Sequence, residues 1–551
     1  MDSLGIVYHL CPDSSTAVDG VGEIPAIPSP SLSTTVDILR ESSPHLNYVT
    51  SLTLRLSSSS CGRGLRGRYG PPGPDVIAWH RRARRPHPGS AKLADVTTPE
   101  KHHDGPAGDR NTPTTKHAID REIARLALPS LGSLLAEPLL VATDTVMVGH
   151  LGTGPLAGLA LASTIITTLV GLCIFLAYAT TSATARYVGA GRMKAALSQG
   201  MDGLWLAGTL GLLLGAILAI WAPHILALFG AEGVVITEGA RYLRFSAAGL
   251  PGMLVVLAAT GTLRGLGNTT TPFKVSVLGA LVNIPLNFVF IYPAGLGLAG
   301  AGIGTAAAQT VMGVVLTGVV VHHASEHHAP LAPRGVGVLR ALHDSVPLIV
   351  RSAVLRVLIL LQITGATQLG TEALAANQIT MTIWNFASYG LDALAMAAQI
   401  LVGQASGAGD ESRLRTVLGR CLSRGMSVGA VLGAATVLTS PLIVRIMSTA
   451  GDVRWLAFWG LLVIAVFFPI ASVAFILDGV LIGAGDLKTL AWMMFIPLAL
   501  YGPMVLGLLE WTSGQTGFIW LWIGYAGVCM SARALPMYLR VRGEKWVQLG
   551  S

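Results

Sequence analysis

The chain has 551 residues, of which 52% are hydrophobic and only 12% are charged. A soluble globular chain carries about 25% charged residues, so this composition excludes that class and indicates a membrane protein. The net charge of +8 lies largely in the N-terminal tail and in short loops between apolar runs, so it indicates membrane topology and not a nucleic-acid-binding surface.

Glycine and cysteine content agree with a membrane protein. The 65 glycines suit closely packed membrane helices, in which small residues let backbones approach. The five cysteines have no metal-binding spacing, and the last three lie in or at the ends of apolar runs; they are Cys11, Cys61, Cys173, Cys421 and Cys529. We therefore expect neither a zinc site nor a disulfide framework.

The N-terminal segment 1–117 differs from the rest of the chain. It is rich in Ser, Pro, Gly, Arg and His, and its apolar runs are all short, so no signal-peptide core is visible. Low hydrophobicity of this kind predicts disorder. Two alternatives stay open: the start of the chain was assigned too far upstream, or the run RRARR at 81–85 contacts anionic lipid or nucleic acid.

The first long apolar run, 122–151, carries Glu137 and Asp144. A carboxylate at membrane depth costs about 2.5–3.5 kcal/mol on insertion scales and usually faces a partner or a water-filled cavity. The spacing of the two acids places them on nearly the same face of a helix, about two turns apart. This pattern predicts the ion-coupling element of a multi-helix membrane transporter.

Eleven further apolar runs follow, and each is close to the length of about 20 residues that a helix needs to cross a bilayer. We number the twelve predicted spans in chain order: 122–151, 156–185, 203–222, 245–263, 275–294, 298–321, 342–364, 373–402, 425–444, 455–477, 489–509 and 511–531.

The loops between the spans carry unequal charge. Basic residues collect in the loops that join even to odd spans and after span 12: Arg186, Arg192, Lys194, Arg264, Lys274, Arg334, Arg340, Arg413, Arg415, Arg420, Arg424, Lys488, Arg540, Arg542 and Lys545. The opposite loops hold few, the exceptions being Arg241, Arg244, Arg445 and Arg454. The positive-inside rule then predicts that both termini are cytoplasmic.

The two halves of the chain repeat at a constant offset in the numbering. LGTGPLAGLA at 151–160 aligns with LGTEALAANQ at 369–378, and at the same offset Pro285 aligns with Pro503. Six spans are an even number, so both halves have the same orientation, as in transporters built from parallel repeats. We predict an N-terminal extension (1–117), an N-lobe (118–322, spans 1–6), a linker (323–337), a C-lobe (338–543, spans 7–12) and a tail (544–551). The histidines of the linker could bind a metal, but a solvated loop is favoured.

The duplication separates the acids of span 1 from the other half. Asp144 aligns with Gln362, and Glu137 aligns with Leu355. The C-lobe has charged residues at other places: Arg351, Arg356, Asp392 and Asp478. A buried Arg–Asp pair is the simplest interpretation, because an unpaired buried charge is far costlier. A second cation site is the alternative.

Several motifs together resemble the multidrug and toxic compound extrusion (MATE) family, and in particular its branch named for DNA-damage-inducible protein F (DinF). They are ALPSLGSLLAEPLLVATDTVMVGHLG, RYVGAG, TLRGLGNTTTP, LVNIPLN, AANQI, YGLDALAMAAQILVGQASGAG and FILDGVLIGAGD. The resemblance implies an all-α polytopic protein with twelve helices in two six-helix lobes. It also implies a cavity that opens alternately to either side and exports organic, often cationic, compounds in exchange for H⁺ or Na⁺.

The resemblance assigns candidate residues to the coupling site. In similar proteins the aspartate of the segment DT-x-x-VG, here Asp144, is the central titratable group. Span 5 of relatives offers Asn followed four residues later by Asp or Asn, here Asn283 and Asn287. Asn at the second position removes one carboxylate and favours H⁺ over Na⁺ as the coupling ion.

Each candidate has a structural alternative. Asp144 could tie span 1 to a neighbour by hydrogen bonds, and Glu137 could either share the proton or bond the backbone freed by Pro138. Asn283 and Asn287 share a helix face and could be packing contacts. Pro129 and Pro138 could support bending of span 1 or be tolerated kinks.

We therefore expect a secondary antiporter that exports small amphipathic, cationic organic compounds, without a cofactor or metal, as a monomer in a bacterial inner membrane. No nucleophile–base arrangement, phosphate loop or metal motif indicates an enzyme. A lipid-linked saccharide flippase of the wider superfamily is the main alternative. A receptor or scaffold would not explain a duplicated lobe with intramembrane carboxylates.

Overall fold

A computed structural model of the chain describes residues 116–333, 335–512 and 514–547. The predicted extension up to residue 115, Arg334 and the end of the predicted tail lie outside the described residues, as do Cys11 and Cys61. The described residues form helices and short connections and contain no strand.

Eight spans are single helices, some of them longer than the apolar runs that predicted them. They are spans 1, 3 and 5–10, with bounds Lys116–Gly149, Met193–Leu228, Thr270–Ile291, Leu298–Glu326, Gly335–Gln368, Thr371–Gly407, Glu411–Met447 and Gly451–Ala484. Charged and polar turns extend these helices beyond the apolar runs.

Four spans are interrupted. Span 2 consists of Thr153–Leu172 and Phe175–Gly189, span 4 of Gly233–Ala248 and Leu250–Gly265, and span 11 of Leu487–Met493 and Phe495–Trp511. Span 12 contains a π-helix, Ile523–Cys529, between Gly514–Trp522 and Met530–Arg542. The described part of the chain has 11 helices long and apolar enough to cross a membrane, or 12 when the bent pair of span 4 counts as one. The prediction of an all-α protein with twelve spans is confirmed.

Span 4 begins earlier than its apolar run predicted. Its first half starts at Gly233 and meets the second half at a bend of 46°. Arg241 and Arg244 lie within this first half, where Arg241 pairs with Glu238 at 3.1 Å and Arg244 Nε donates to the carbonyl of Ala219 at 3.3 Å. Because Arg241 and Arg244 both have partners, the helix continues through a segment that its composition had assigned to a loop.

Backbone geometry repeats between the two halves. Three pairs of glycines at equivalent positions of the repeat have positive φ values that agree closely: Gly152 (115°) and Gly370 (114°), Gly191 (71°) and Gly409 (70°), and Gly267 (83°) and Gly485 (85°). A positive φ favours glycine because other residues clash there. The chain therefore turns in the same way at equivalent points of the two halves, which confirms the internal repeat.

The two lobes meet at the ends of the helices whose loops carry the basic residues, which we call the basic face. Ser182 Oγ donates to the carbonyl of Ile482 at 2.5 Å, and Gln399 Nε2 donates to the carbonyl of Tyr178 at 2.8 Å. These hydrogen bonds join span 2 of the N-lobe to spans 10 and 8 of the C-lobe.

Spans 2 and 8 cross at the basic face through a pair of glycines. Gly189 packs against the carbonyl of Gln404, and Gly407 packs against the carbonyl of Arg186. Gly189 and Gly407 are equivalent positions of the repeat, as are Arg186 and Gln404, so the crossing follows the two-fold relation of the halves. A Cβ atom at either glycine would overlap the facing carbonyl oxygen.

Candidate functional site

Asp144 is at the centre of a buried polar pocket in the N-lobe, between spans 1, 5 and 6. Its side chain is 6% exposed. Asn287 Nδ2 donates to Asp144 Oδ1 at 2.6 Å, and Thr305 Oγ1 donates to Asp144 Oδ2 at 3.3 Å. Both carboxylate oxygens are therefore hydrogen-bonded by neutral groups.

The two asparagines of span 5 complete the pocket. Asn287 Nδ2 also donates to Asn283 Oδ1 at 3.2 Å, and Asn283 Nδ2 donates to Thr305 Oγ1 at 3.4 Å. The four side chains form a closed ring of hydrogen bonds from Asp144 back to Asp144. The structure thus brings together three of the residues that the sequence singled out.

Thr305 was not among the candidates predicted from the sequence. It is one threonine in the apolar run GIGTAAA of span 6, and it carries no charge and belongs to none of the motifs. Many threonines in membrane helices bond only to their own backbone, as Thr310 does to the carbonyl of Ala306 at 2.7 Å. Only the packing of span 6 against spans 1 and 5 distinguishes Thr305 from these.

Glu137 does not join the pocket, although the helical period places it on the face of Asp144. The two acids are about 10 Å apart along the helix axis, and at that distance the same face meets different neighbours. Glu137 is exposed and interacts electrostatically with Tyr389 of span 8. It therefore faces the C-lobe, whereas Asp144 faces spans 5 and 6.

The chemistry of the pocket is that of a proton or hard-cation site. Its donors and acceptors are carboxylate, amide and hydroxyl groups, and in the described residues no basic side chain pairs with Asp144. No group of three or more His, Cys, Asp or Glu side chains within the described residues could hold a metal ion. A carboxyl group in such surroundings can accept one proton without the cost of an unpaired buried charge.

In the C-lobe, a buried ion cluster links three spans. Asp478 accepts from Arg351 Nε at 2.9 Å and from Arg351 Nη2, and Arg533 Nη2 lies 3.3 Å from Asp478 Oδ2. All three side chains are at most 7% exposed. Arg533 was not predicted, because the apolar count ended span 12 at Ser531.

The other two members of the predicted charged set, Arg356 and Asp392, do not form an ion pair with each other in the described residues. Arg356 is exposed and packs against Gly171 of span 2. Asp392 is half-buried and interacts electrostatically with Arg351, Arg533 and Arg264, but it forms no hydrogen bond or ion pair within the described residues. The direct pair is therefore Arg351–Asp478 and not Arg356–Asp392.

A neutral cluster stands in the C-lobe where the N-lobe has Asp144. Gln362, which aligns with Asp144, is fully buried; it accepts from the hydroxyl of Tyr501 and donates to Asn377 Oδ1 at 3.1 Å. Tyr501 aligns with Asn283 at the same offset of the repeat. Spans 1 and 7 thus both bond to the fifth helix of their lobe, but only span 1 does so through a titratable group.

Pro129 and Pro138 both lie inside the single helix of span 1, and neither ends it. Each lacks a backbone N–H and so leaves a carbonyl one turn earlier without its helical hydrogen bond. The carbonyl freed by Pro129 is that of Arg125, and Thr269 Oγ1 donates to it at 3.5 Å.

Comparison with known proteins identifies relatives along the membrane part of the chain. The sequence profile of the MatE family matches residues 129–289 and again residues 347–505, together more than half of the chain. Protein DETOXIFICATION 44, chloroplastic, of Arabidopsis thaliana is 29% identical over 420 residues, which are 72% of this chain and 80% of that protein. DNA damage-inducible protein F of Escherichia coli (strain K12) is 27% identical over 432 residues, 77% of this chain and 90% of that protein.

A solved structure shares the fold. The crystal structure of the Vibrio cholerae MATE transporter VcmN in the bent form superposes with a TM-score of 0.71 at 20% sequence identity. The superposition covers 78% of this chain and 98% of the VcmN chain.

Proposed function

Because the chain belongs to the MatE family, and is therefore a multi-pass membrane transporter, we propose that it is a secondary antiporter. It exports small amphipathic organic compounds, which we expect to be cationic, in exchange for protons. Asp144 carries the proton. The observation that supports this most directly is a buried carboxylate whose two oxygens meet only neutral donors, Asn287 and Thr305.

Protonation of Asp144 would change the ring of hydrogen bonds around it. The ionised carboxylate accepts from Asn287 and Thr305, whereas a protonated carboxyl must donate with one of its oxygens. A proton on Oδ2 would reverse the hydrogen bond with Thr305, whose hydroxyl can accept as well as donate, and so rearrange the ring that joins span 1 to spans 5 and 6. Pro129 and Pro138 loosen the helix that has to adjust. Proton binding is thereby linked to the conformation of the N-lobe.

The proton is favoured over Na⁺ because of Asn287. The pocket holds one carboxylate, and a second acid at position 287 would supply the additional charge that suits a bound metal cation. With neutral Asn283, Asn287 and Thr305, one proton on Asp144 neutralises the pocket completely.

We further propose that the chain lies in a bacterial inner membrane, with both termini in the cytoplasm, and works as a monomer. The excess of Lys and Arg at the basic face supports this orientation. With that face cytoplasmic, the interlobe hydrogen bonds of Ser182 and Gln399 would close the cytoplasmic end. A reporter fused after Gly514 should lie outside, and a cytoplasmic signal would contradict this topology.

The coupling role is tested in proteoliposomes with ethidium as the organic cation. The wild-type protein should take up protons against ethidium in the absence of Na⁺, and Asp144→Asn should lose this flux at equal protein level. Asp452→Asn, at an exposed carboxylate, is the matched control and should be unaffected. Near-normal ethidium export by Asp144→Asn would refute the role, and lipid flipping without proton flux would favour the flippase.

A further inference from the structure

The space beside Asn287 is set by Gly304 of span 6. A Cβ atom built on Gly304 would overlap Asn287 Oδ1 and would lie 3.0 Å from Asn287 Cγ and 3.1 Å from its backbone nitrogen. Asn287 itself is fully buried, and its Oδ1 has no hydrogen-bond partner within the described residues. The amide therefore occupies the volume that any side chain at position 304 would fill.

We propose that Gly304 is a positioning residue of the coupling site: its missing side chain leaves the room in which Asn287 turns its amide nitrogen toward Asp144. The proposal rests on the proposed proton coupling through Asp144. Gly304 touches neither the proton nor the substrate, and it acts only through Asn287.

Backbone conformation does not account for this glycine. Gly304 lies inside the helix Leu298–Glu326 and does not have a positive φ. A glycine in a helix interior costs about 1 kcal/mol relative to alanine, so a compensating reason for it is expected. The space left by the absent side chain is therefore the reason we infer for a glycine at this position.

Gly304 also differs from other glycines of the same helix in what it faces. Gly300 packs against the backbone of Phe290, and Gly313 packs against the backbone of Gly252. Those two allow span 6 to approach neighbouring helices, as small residues do in membranes. Gly304 instead meets the polar side chain that donates to Asp144.

The C-lobe has different residues at the positions equivalent to Asn287 and Gly304. Asn287 aligns with Val505, which is buried. The corresponding stretch of span 12 contributes Trp522 and Tyr525 to an aromatic cluster, with ring centroids 5.8 Å apart. Bulky rings fill the interior of the lobe that has Gln362 in place of Asp144. The lobe with Asp144 is the one that has the small residue at this position.

A side chain at position 304 should change the proton affinity of Asp144 more than it changes the stability of the fold. In Gly304→Ala the end of the Asn287 side chain would have to rotate away, and Asp144 would lose its 2.6 Å hydrogen bond. That bond stabilises the ionised carboxylate, so its loss favours the protonated form. The pH at which ethidium-driven proton flux is half-maximal should rise by about one to two units, the shift expected from one hydrogen bond to a charged group.

The experiment is a double-mutant cycle in proteoliposomes. Gly304→Ala and Asn287→Ala should each raise the midpoint pH, and the double variant should shift it no further than Asn287→Ala alone. Gly318→Ala is the matched control, because Gly318 lies exposed on the same helix with no atom within 4 Å of its built Cβ. Its midpoint should equal that of the wild type.

Additive shifts in the double variant, or an unchanged midpoint in Gly304→Ala, would overturn the proposal. If Gly304→Ala fails to fold, Asn287→Ala should restore folded protein by removing the clash, and failure of that rescue also overturns it. A wild-type protein without ethidium-linked proton flux would instead refute the proposed function. The two failures are therefore distinguishable.

Discussion

The ion pairs between spans 1 and 9 should hold the basic face closed. Asp120 of the N-lobe accepts from Arg420 and from Arg424, and the Arg424 contact measures 2.5 Å. Glu122 adds a pair with Arg413 at 3.3 Å. These pairs cross from one lobe to the other, so opening of the basic face must break them.

The magnitude for Asp120→Asn follows from the exposure of its partners. The Arg424 side chain is 49% exposed and its pair is largely screened, whereas Asp120 and Arg420 are 15% and 22% exposed. The Arg420 pair should contribute about 1 kcal/mol, the upper end for pairs near a surface. Loss of this amount shifts the equilibrium between closed and open basic faces about fivefold toward the open form.

Spin labels at Ala190 and Ala408, which follow spans 2 and 8 at the basic face, measure this equilibrium in a background without the native cysteines. Asp120→Asn should enlarge the population with a long distance between labels. Glu411→Gln is the control, because it removes the pair with Arg415 at 2.6 Å, which lies within span 9. An unchanged distance distribution in Asp120→Asn, or an equal change in both variants, would refute the reasoning.

Three further outcomes are expected. Asp478→Asn removes the acid shared by two buried arginines and should lower the free energy of unfolding by about 3–5 kcal/mol; an unaltered thermal unfolding temperature in detergent would contradict this. Gly407→Ala places a Cβ against the carbonyl of Arg186 and should open the basic face in the same spin-label assay, whereas an unshifted distance would show that the crossing tolerates a methyl group. Deletion of residues 1–110 should leave ethidium export intact, and lost export at normal protein level would assign a function to that segment.

Local patterns predicted the spans, the repeat and Asp144, and the family resemblance added Asn283 and Asn287 as candidates for the pocket. An apolar run of bilayer length is unambiguous in a chain with so few charges, and a constant offset locates equivalent helices. Asp144 stood out because an acid in such a run is costly. The spacing of Asn283 and Asn287 placed both on one helix face, and the structure turns that face toward span 1.

The remaining features depend on neighbours that no local pattern reveals. Thr305 belongs to the pocket only because span 6 packs against span 1. Arg533 meets Asp478 because the helix of span 12 continues past its apolar run to Arg542. For the same reason Glu137 and Asp144 share a face but not an environment, since each depth along span 1 has its own neighbouring helix.

The asymmetry between the lobes bears on the proposal that proton coupling uses the N-lobe. In the C-lobe, Asp478 is held by two arginines, and releasing it by protonation would leave both cations unpaired in a buried site. Gln362 cannot titrate at all. In the N-lobe, protonation of Asp144 creates no unpaired charge, because its partners Asn287 and Thr305 are neutral. Of Asp144 and Asp478, only Asp144 can therefore take a proton without leaving a buried charge unpaired, which supports the proposal that the N-lobe responds to the proton while the Arg351–Asp478 cluster of the C-lobe stays ionised.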